Sequence, residues 1–282
     1  MIKFGPSGNC ETFYSAGYKH SYQAPMWLSS IGLNAYEYSF GRGITLTDET
    51  AKLIGDEAKK YNIQISVHAP YYINLATPTE EMAEKSFMYI LNSLQKLRIL
   101  GGNRLVVHPA SCGKMDRVDA INLAKQRLIQ LDALLKEHGY NNMLICLETM
   151  GKPAQIGTYQ EIIDFCKLSP NFVPTFDFGH INALGQGCLK TESDYREVIK
   201  YLIDELGMEK AQLLHIHFSK IEFGQKGEIR HLTLEDEVYG PDFAPLAKVL
   251  KEFGLEPTII CESQKVMGKD ALELKNIYEQ TK

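Results

Sequence analysis

The chain has 282 residues and a formal net charge of −5, and 44% of its residues are hydrophobic while 23% are charged. This composition is typical of a soluble globular protein, and no apolar run approaches the roughly 20 residues that a membrane span requires, so we expect no membrane partner. The acidic balance is unusual for a nucleic-acid-binding protein, but it does not exclude one, because bound divalent cations reverse the local field of their own carboxylates.

The cysteines and the amino terminus bear on the cellular compartment. The six cysteines include no CxxC pair and show no spacing typical of a secreted domain. Gly5 and Pro6 interrupt the amino terminus before an apolar signal-peptide core develops. We therefore expect a cytoplasmic protein whose thiols are reduced.

Eight apolar segments alternate with helical patterns along the chain. The predicted strands lie at Ile2–Gly5, Ala35–Phe40, Ile65–His68, Leu105–His108, Leu144–Glu148, Val173–Asp177, Leu213–Lys220 and Thr258–Glu262. Helices are predicted near 21–31, 47–61, 79–100, 117–137, 159–167, 194–206, 243–253 and 270–278. Successive strand ends from His68 onward are about 30 to 45 residues apart, the size of a βα unit. The pattern predicts a (β/α)8 TIM barrel, with residues 1–282 forming a single α/β domain.

The predicted strands share a chemical feature at their carboxyl ends. Five of them finish on a residue that binds metals, namely His68, His108, Glu148, Asp177 and Glu262. A sixth carries His215 and His217 near its end, and His180 and His231 lie close to strand ends in the sequence. One such histidine alone is more often a buried, hydrogen-bonded imidazole than a ligand. The carboxyl ends of barrel strands converge on one face, however, and buried carboxylates are rare unless paired or bound to metal. Together these residues predict one metal site.

The donor set also bears on the metal. Histidine and carboxylate without a thiolate suit Zn²⁺ or Mn²⁺ better than a structural cysteine site. Seven to nine donors exceed what one ion needs, so two or three ions are expected. A carboxylate shared by two ions would hold them about 3.5–4 Å apart, as in two-metal phosphoryl chemistry.

Seven segments, in order along the chain, resemble the motifs of the endonuclease IV family of apurinic/apyrimidinic endonucleases, which belongs to the xylose-isomerase-like barrels. They are His68-Ala69-Pro70-Tyr71-Tyr72-Ile73-Asn74-Leu75, Val107-His108-Pro109, Leu147-Glu148-Thr149, Asp177-Phe178-Gly179-His180, His215 with Lys220, Arg230-His231 and Cys261-Glu262. Each motif alone is weak, but the ordered set is specific.

The resemblance implies a zinc-dependent enzyme of DNA repair that cleaves double-stranded DNA 5′ to abasic sites. His68 and His108 would hold one ion, and Glu148 would bridge it to a second ion completed by Asp177, His215 and Glu262. His180 and His231 would hold a third ion. A hydroxide bridging the metals would attack the phosphodiester, and Glu148 and Glu262 would be the catalytic residues. We expect a monomer.

The resemblance also implies DNA contacts at the barrel mouth. Tyr71 and Tyr72 match positions that insert into the duplex at the lesion, and Arg42 falls in a basic DNA-contacting loop. Without a DNA role, the two tyrosines would be a hydrophobic pair at the barrel rim.

The sequence departs from the family pattern at the third ion. The family has aspartate two residues before the last histidine of that pair, whereas this chain has Ile229. Glu228 is adjacent, but a shift of one residue reverses side-chain direction on a regular strand. His217 stands where the family has asparagine, so both Glu228 and His217 are candidates for substitute or supporting ligands.

Two other functions fit the same residues. A sugar isomerase or epimerase would need a single ion, held by residues such as Glu148, Asp177, His215 and Glu262, and two carboxylates to move a proton. A metal-stabilised protein that binds damaged DNA or a sugar phosphate without turnover is the third alternative. The number of metal ions per chain separates the first two functions.

Overall fold

The computed structural model describes residues 1–41 and 43–282, so Arg42, one of the expected DNA contacts, lies outside the described residues. The strands are β1 Lys3–Pro6, β2 Ala35–Ser39, β3 Gln64–His68, β4 Arg104–Val107, β5 Ala110–Ser111, β6 Leu144–Glu148, β7 Gln155–Ile156, β8 Phe172–Asp177, β9 His215–Phe218, β10 Lys220–Gly224, β11 Gly227–Leu232 and β12 Thr258–Cys261. The α-helices are α1 Glu11–Ser15, α2 Ala24–Ser30, α3 Asp48–Lys60, α4 Glu80–Ile99, α5 Arg117–Glu137, α6 Tyr159–Cys166, α7 Phe178–Leu184, α8 Glu192–Ala211, α9 Phe243–Glu252 and α10 Met267–Gln280, and a 3-10 turn at Ser21–Gln23 precedes α2.

Eight parallel strands form the barrel, in the order β1-β12-β9-β8-β6-β4-β3-β2. The two end strands of this order, β1 and β2, meet through a parallel bridge between Ser7 and Glu37 and a hydrogen bond from the Asn34 amide to the Phe4 carbonyl. The remaining strands form two small antiparallel pairs, β5 with β7 and β10 with β11. The predicted TIM barrel is confirmed.

The barrel closes over Gly5, whose backbone lies directly against β2. A Cβ atom at this position would stand 1.8 Å from the carbonyl oxygen of Ala35, closer than any real contact. The β1–β2 seam therefore requires glycine at position 5, because the group in the way is backbone and cannot rotate aside.

We expect Gly5→Ala to destabilise the protein by about 3 kcal/mol or more, because the added methyl group forces the seam apart. Chemical denaturation followed by circular dichroism measures the change. Gly224→Ala is the control, since its Cβ would meet only the end of the Ile229 side chain, at 3.4 Å. Equal stability of the two variants would contradict this account of closure.

Alternation along the strands separates an apolar shell from a polar interior. Side chains pointing outward from the strands, such as Ile145 and Phe176, join the main hydrophobic core with the helices. Inside the barrel, a small apolar floor consists of Val106, Cys146 and Val173. Glu148 stands two residues after Cys146 on the same strand, so its side chain points to the same side, into the barrel. The carboxyl ends of the strands therefore carry polar side chains above this apolar floor.

Helix starts follow the local chemistry of the sequence. Thr47 and Thr79 accept hydrogen bonds from the backbone amides of Thr50 and Met82 and so cap α3 and α4. Thr158 and Glu161 form a reciprocal capping box on α6. Most predicted helices are therefore found within a few residues of their expected bounds.

Several elements were not predicted, namely α1, the β5–β7 pair, α7 and the β10–β11 hairpin. Helix α7 begins directly after Asp177, whose Oδ1 accepts the amide of His180 at 2.7 Å. The segment after β9, expected to be a long loop, is the β10–β11 hairpin. The six cysteines, all in the described part of the chain, are free, and among the described helices none is long and apolar enough to cross a membrane.

Candidate metal centre

The donor residues gather at the carboxyl end of the barrel, around a cavity of about 380 Å³. Its lining includes His68, His108, His180, Glu228, His231 and Glu262. Besides a deeper and completely buried group of Glu37, His215 and His217, the donors fall into three adjacent groups. In each group the candidate ligand atoms lie within 4.8 Å of one another. We call them the first group (His68, His108, Glu148), the second group (Glu148, Asp177, His217, Glu262) and the third group (His180, Glu228, His231).

The first group consists of two imidazoles directed at one carboxylate. The Nε2 atoms of His68 and His108 each lie 3.1 Å from Glu148 Oε2. The other ring nitrogen of His68, Nδ1, lies 2.8 Å from the carbonyl oxygen of Ala69 and donates to it. That contact fixes the ring and leaves Nε2 as the atom available to a metal.

The second group lies deeper, and Glu148 is common to both. Its other oxygen, Oε1, is 3.1 Å from His217 Nδ1, and Glu262 Oε2 is 3.5 Å from the same nitrogen. Asp177 is fully buried, and its Oδ2 has no hydrogen bond to any described residue. An orphaned carboxylate oxygen among three other donors is the arrangement expected at a cation site.

The sequence placed His215 with Asp177 and Glu262, but the structure places His217 there. Both histidines face the barrel interior, as expected of residues two apart on a strand. Strand register decides which is level with the other donors: His217 pairs with Asp177, whereas His215 pairs with Thr175 one step below. His215 instead contacts Glu37, with its Nε2 at 3.1 Å from Glu37 Oε2.

The third group depends on an irregularity in the β10–β11 hairpin. Glu222 pairs with Arg230 and Phe223 with Glu228, so Ile229 is an extra residue in a β-bulge. Without the bulge, Glu228 and His231 would point to opposite faces. The bulge puts Glu228 on the same face as His231 and turns Ile229 outward, where it is 57% exposed. Glu228 therefore stands where the family's aspartate was expected.

Both histidines of the third group also present Nε2. His180 Nδ1 donates to the carbonyl of Thr149 at 2.9 Å, and His231 Nδ1 contacts Ser219 Oγ at 2.8 Å. Their Nε2 atoms lie 3.5 Å and 3.9 Å from the carboxylate of Glu228. The three groups therefore fit divalent cations by donor type, by proximity and by ring orientation.

Electrostatics within the protein alone favour a charged Glu148 and protonated His68 and His180. Burial acts the other way at two donors, because it raises the pKa of Asp177 and lowers the pKa of His215 to about 4. Burial opposes ionisation of Glu148, yet His217 and His108 hold its pKa well below the usual range. Burial likewise disfavours the imidazolium form of His68 and His180, but Glu148 and Asp177, respectively, raise the pKa of these histidines to about 9. At neutral pH, protons on these histidines balance the negative charge of the carboxylates, which bound metal ions would otherwise balance.

We expect metal affinity to rise with pH between about 6 and 9. A histidine must lose its proton to bind a metal, and His68 and His180, with raised pKa values of about 9, are protonated below that pH. Each displaced proton should weaken binding about tenfold per pH unit as the pH falls. Isothermal titration with Zn²⁺ in buffers of different ionisation enthalpy measures the released protons. No proton release at pH 7 would contradict the expectation.

Glu37 is the buried site residue that the sequence analysis missed. It lies in the middle of β2, between Tyr36 and Tyr38, and is completely buried. The available signal was a carboxylate inside an otherwise apolar and aromatic strand, since such a residue is almost never buried without partners. It was overlooked because it stands in the middle of its strand, whereas the other donors stand at strand ends.

The two tyrosines expected to contact DNA lie in the loop after β3. Tyr71 and Tyr72 are 57% and 56% exposed. The Tyr71 ring centroid is 5.6 Å from those of both His68 and His108, so this ring lies beside the first group. Tyr72 faces away and packs near Tyr89, at 6.0 Å. Only Tyr71 contributes to the lining of the cavity.

A TIM barrel with three adjacent histidine–carboxylate groups at its mouth defines the class of protein. The sequence profile described as xylose isomerase-like TIM barrel matches residues 26–278. The chain therefore belongs to this family, whose members are enzymes, and the expected place among the xylose-isomerase-like barrels is confirmed.

Two relatives illustrate the range of similarity. An uncharacterized protein of Methanocaldococcus jannaschii is 31% identical over 281 residues, 99% of this chain and 98% of that protein. A protein named "Probable endonuclease 4" from Aster yellows witches'-broom phytoplasma is 27% identical over 255 residues, 82% of this chain and 85% of its own length.

Two solved structures share the fold of this chain. A D-tagatose 3-epimerase-like protein matches with a TM-score of 0.71 and 20% identity, covering 99% of this chain and 97% of that one. Endonuclease IV from Thermus thermophilus matches with a TM-score of 0.71 and 17% identity, covering 98% of this chain and 97% of that one. At this identity the likeness concerns the fold alone.

Proposed function

We propose that this protein is a metal-dependent phosphodiesterase that cleaves double-stranded DNA 5′ to abasic sites. The observation that carries the proposal is the presence of three donor groups side by side, with Glu148 common to two of them. A single-metal enzyme has no need of the third group or of the bulge that builds it. The similarity to the protein named "Probable endonuclease 4" supports the same interpretation.

Most of the polar side chains at the barrel mouth would serve as metal ligands. The eight donors expected from the sequence are His68, His108, Glu148, Asp177, His180, His215, His231 and Glu262; seven of these are retained as ligands, while His217 replaces His215 and Glu228 is added. Zn²⁺ ions bound there would supply Lewis acidity and a water of lowered pKa, and Mn²⁺ would do the same. Glu262, 17% exposed at the cavity edge, would orient the reacting groups.

Incubation of the purified protein with an abasic duplex tests the proposal. We expect a nick 5′ to the lesion that disappears with chelator and returns with Zn²⁺. The matched control is the same duplex without the abasic site, which should stay intact. Tight binding of the abasic duplex without any nick would instead indicate a binding protein and would defeat the proposal.

Tyr71→Ala should weaken binding of the abasic duplex about tenfold, because an aromatic ring beside the metal groups is placed to stack on an exposed base and such stacking contributes about 1–3 kcal/mol. Met88→Ala is the control, since Met88 is 60% exposed on α4. Fluorescence anisotropy with a labelled duplex measures both. Equal affinity of the two variants for the duplex would show that Tyr71 does not contact DNA and is only a hydrophobic residue at the barrel rim.

The second candidate function is that of a sugar epimerase or isomerase. The second group favours it, because Glu148, Asp177, His217 and Glu262 by themselves form a four-donor site with carboxylates able to move a proton. The D-tagatose 3-epimerase-like structure shares the fold. Elemental analysis separates the two functions: one ion per chain supports epimerisation, and two or three support phosphodiester cleavage.

A further inference from the structure

Glu37 lies beneath the second group and has no contact with the cavity. It is completely buried, as are His215 and His217. The Oε2 atom of Glu37 accepts a hydrogen bond from Ser66 Oγ at 2.7 Å and contacts His215 Nε2 at 3.1 Å. Its Oε1 atom lies 2.9 Å from His217 Nε2. Neither Glu37 Oε1 nor His217 Nε2 forms an aligned hydrogen bond to any described residue, each other included, so their 2.9 Å contact joins two buried polar atoms that have no other partner there.

The two nitrogens of His217 therefore face different environments. Nε2 faces the buried carboxylate of Glu37, while Nδ1 faces Glu148 and Glu262 in the second group. The histidines of the other groups show the reverse arrangement, because backbone carbonyls or a serine hydroxyl occupy the Nδ1 atoms of His68, His180 and His231. A metal-binding histidine ordinarily gives its second nitrogen to a carboxylate or carbonyl, which sets both the tautomer and the ring angle.

His215 and Ser66 complete the support from below. Both contact Glu37 Oε2, which leaves Oε1 for His217 alone. The candidate ligand atoms of Glu37, His215 and His217 also lie within 4.8 Å of one another. A cation held directly among them is disfavoured by charge, because the Arg104 guanidinium donates to the carbonyl of Leu213, two residues before His215, at 2.6 Å. The buried carboxylate is thus a support for His217.

We propose that Glu37 is a positioning residue that holds His217 with Nδ1 as its metal-binding atom, and that His215 and Ser66 hold Glu37 in turn. The proposal rests on the metal centre of the proposed function, but it does not require DNA as the substrate. It predicts that the metal-binding nitrogen of His217 differs from that of His68, His180 and His231.

Nuclear magnetic resonance of the ¹¹³Cd-loaded protein with ¹⁵N-labelled histidine tests the assignment directly. Coupling to cadmium is expected at His217 Nδ1 and at the Nε2 atoms of His68, His180 and His231. Coupling at His217 Nε2 would place an ion in the deeper Glu37 pocket and would overturn the proposal, as would coupling at His215. A protein that shows the expected couplings but no nicking would refute only the proposed function.

Substitution tests the support itself. Glu37→Gln keeps the size of the side chain but removes its charge, and should weaken cadmium binding to the second group about 10- to 100-fold with loss or shift of the His217 coupling. The couplings of His68 and His180 should remain. Ser66→Ala, which removes one contact to Glu37, should retain the Nδ1 coupling with a smaller loss of affinity. Unchanged cadmium affinity in Glu37→Gln would contradict the proposal. If that variant does not fold, a Ser66→Ala protein in which the cadmium coupling of His217 is at Nε2 would contradict it instead.

Discussion

Glu148→Gln should abolish most of the activity and the metal binding of the first and second groups. Glu148 is completely buried and contributes an oxygen to each group, with Oε2 facing His68 and His108 and Oε1 facing His217. The amide keeps the shape but offers one neutral oxygen and an NH₂ group that cannot bind a metal. A loss of about 4 kcal/mol of transition-state stabilisation corresponds to about a thousandfold lower rate.

The same substitution also acts on the metal-free protein. Glu148 ordinarily balances protonated imidazoles, and its loss would leave buried positive charge without a partner, which costs about 3–5 kcal/mol. The pKa of His68, raised to about 9 chiefly by Glu148 against the opposing effect of burial, should fall. A nuclear magnetic resonance titration of the metal-free variant measures this change.

Nicking rate and metal content should be measured together for this variant. Glu222→Gln is the matched control, because Glu222 is paired with Arg230 at 2.6 Å on the hairpin and is not a member of any donor group. The control should keep its ions and its rate. A Glu148→Gln protein with full metal content and wild-type activity would show that the first and second groups do not share this carboxylate in function.

Removal of metal should lower the thermal midpoint by about 10 °C or more. An ion present at about a thousand times its dissociation constant stabilises the folded state by about 4 kcal/mol, and in a chain of this size each kcal/mol corresponds to about 2–4 °C. The donors come from strands that are distant in the sequence, from His68 on β3 to Glu262 after β12. Binding therefore stabilises the barrel as a whole.

Differential scanning fluorimetry of chelator-treated protein, with and without added Zn²⁺, checks this expectation. The Glu148→Gln variant provides the comparison, because it should respond less to both chelator and zinc. A midpoint that is indifferent to chelator and to zinc in the unsubstituted protein would mean that the three groups are satisfied by protons and by one another.

The fold was predictable because it depends on local patterns. Apolar segments at intervals of one βα unit, and caps such as Thr47 and Thr158, are visible in the sequence and act over a few residues. The strand-end rule then identified the neighbourhood of the site, since carboxyl ends converge whatever the loops do. Seven of the expected donors lie in the three groups for this reason.

What the sequence alone determined, then, is the barrel and the chemical type of its mouth. Strand register decides which histidine of β9 lies level with Asp177. His217 does and is a candidate ligand, whereas His215, two residues earlier, is a supporting residue. The position of Glu228 was decided by a bulge, which reverses the side-chain parity that a sequence pattern assumes. The role of Glu37 was decided by burial between strands that are neighbours only in three dimensions. Register, bulges and burial arise from non-local pairing, so only the tertiary structure settles them.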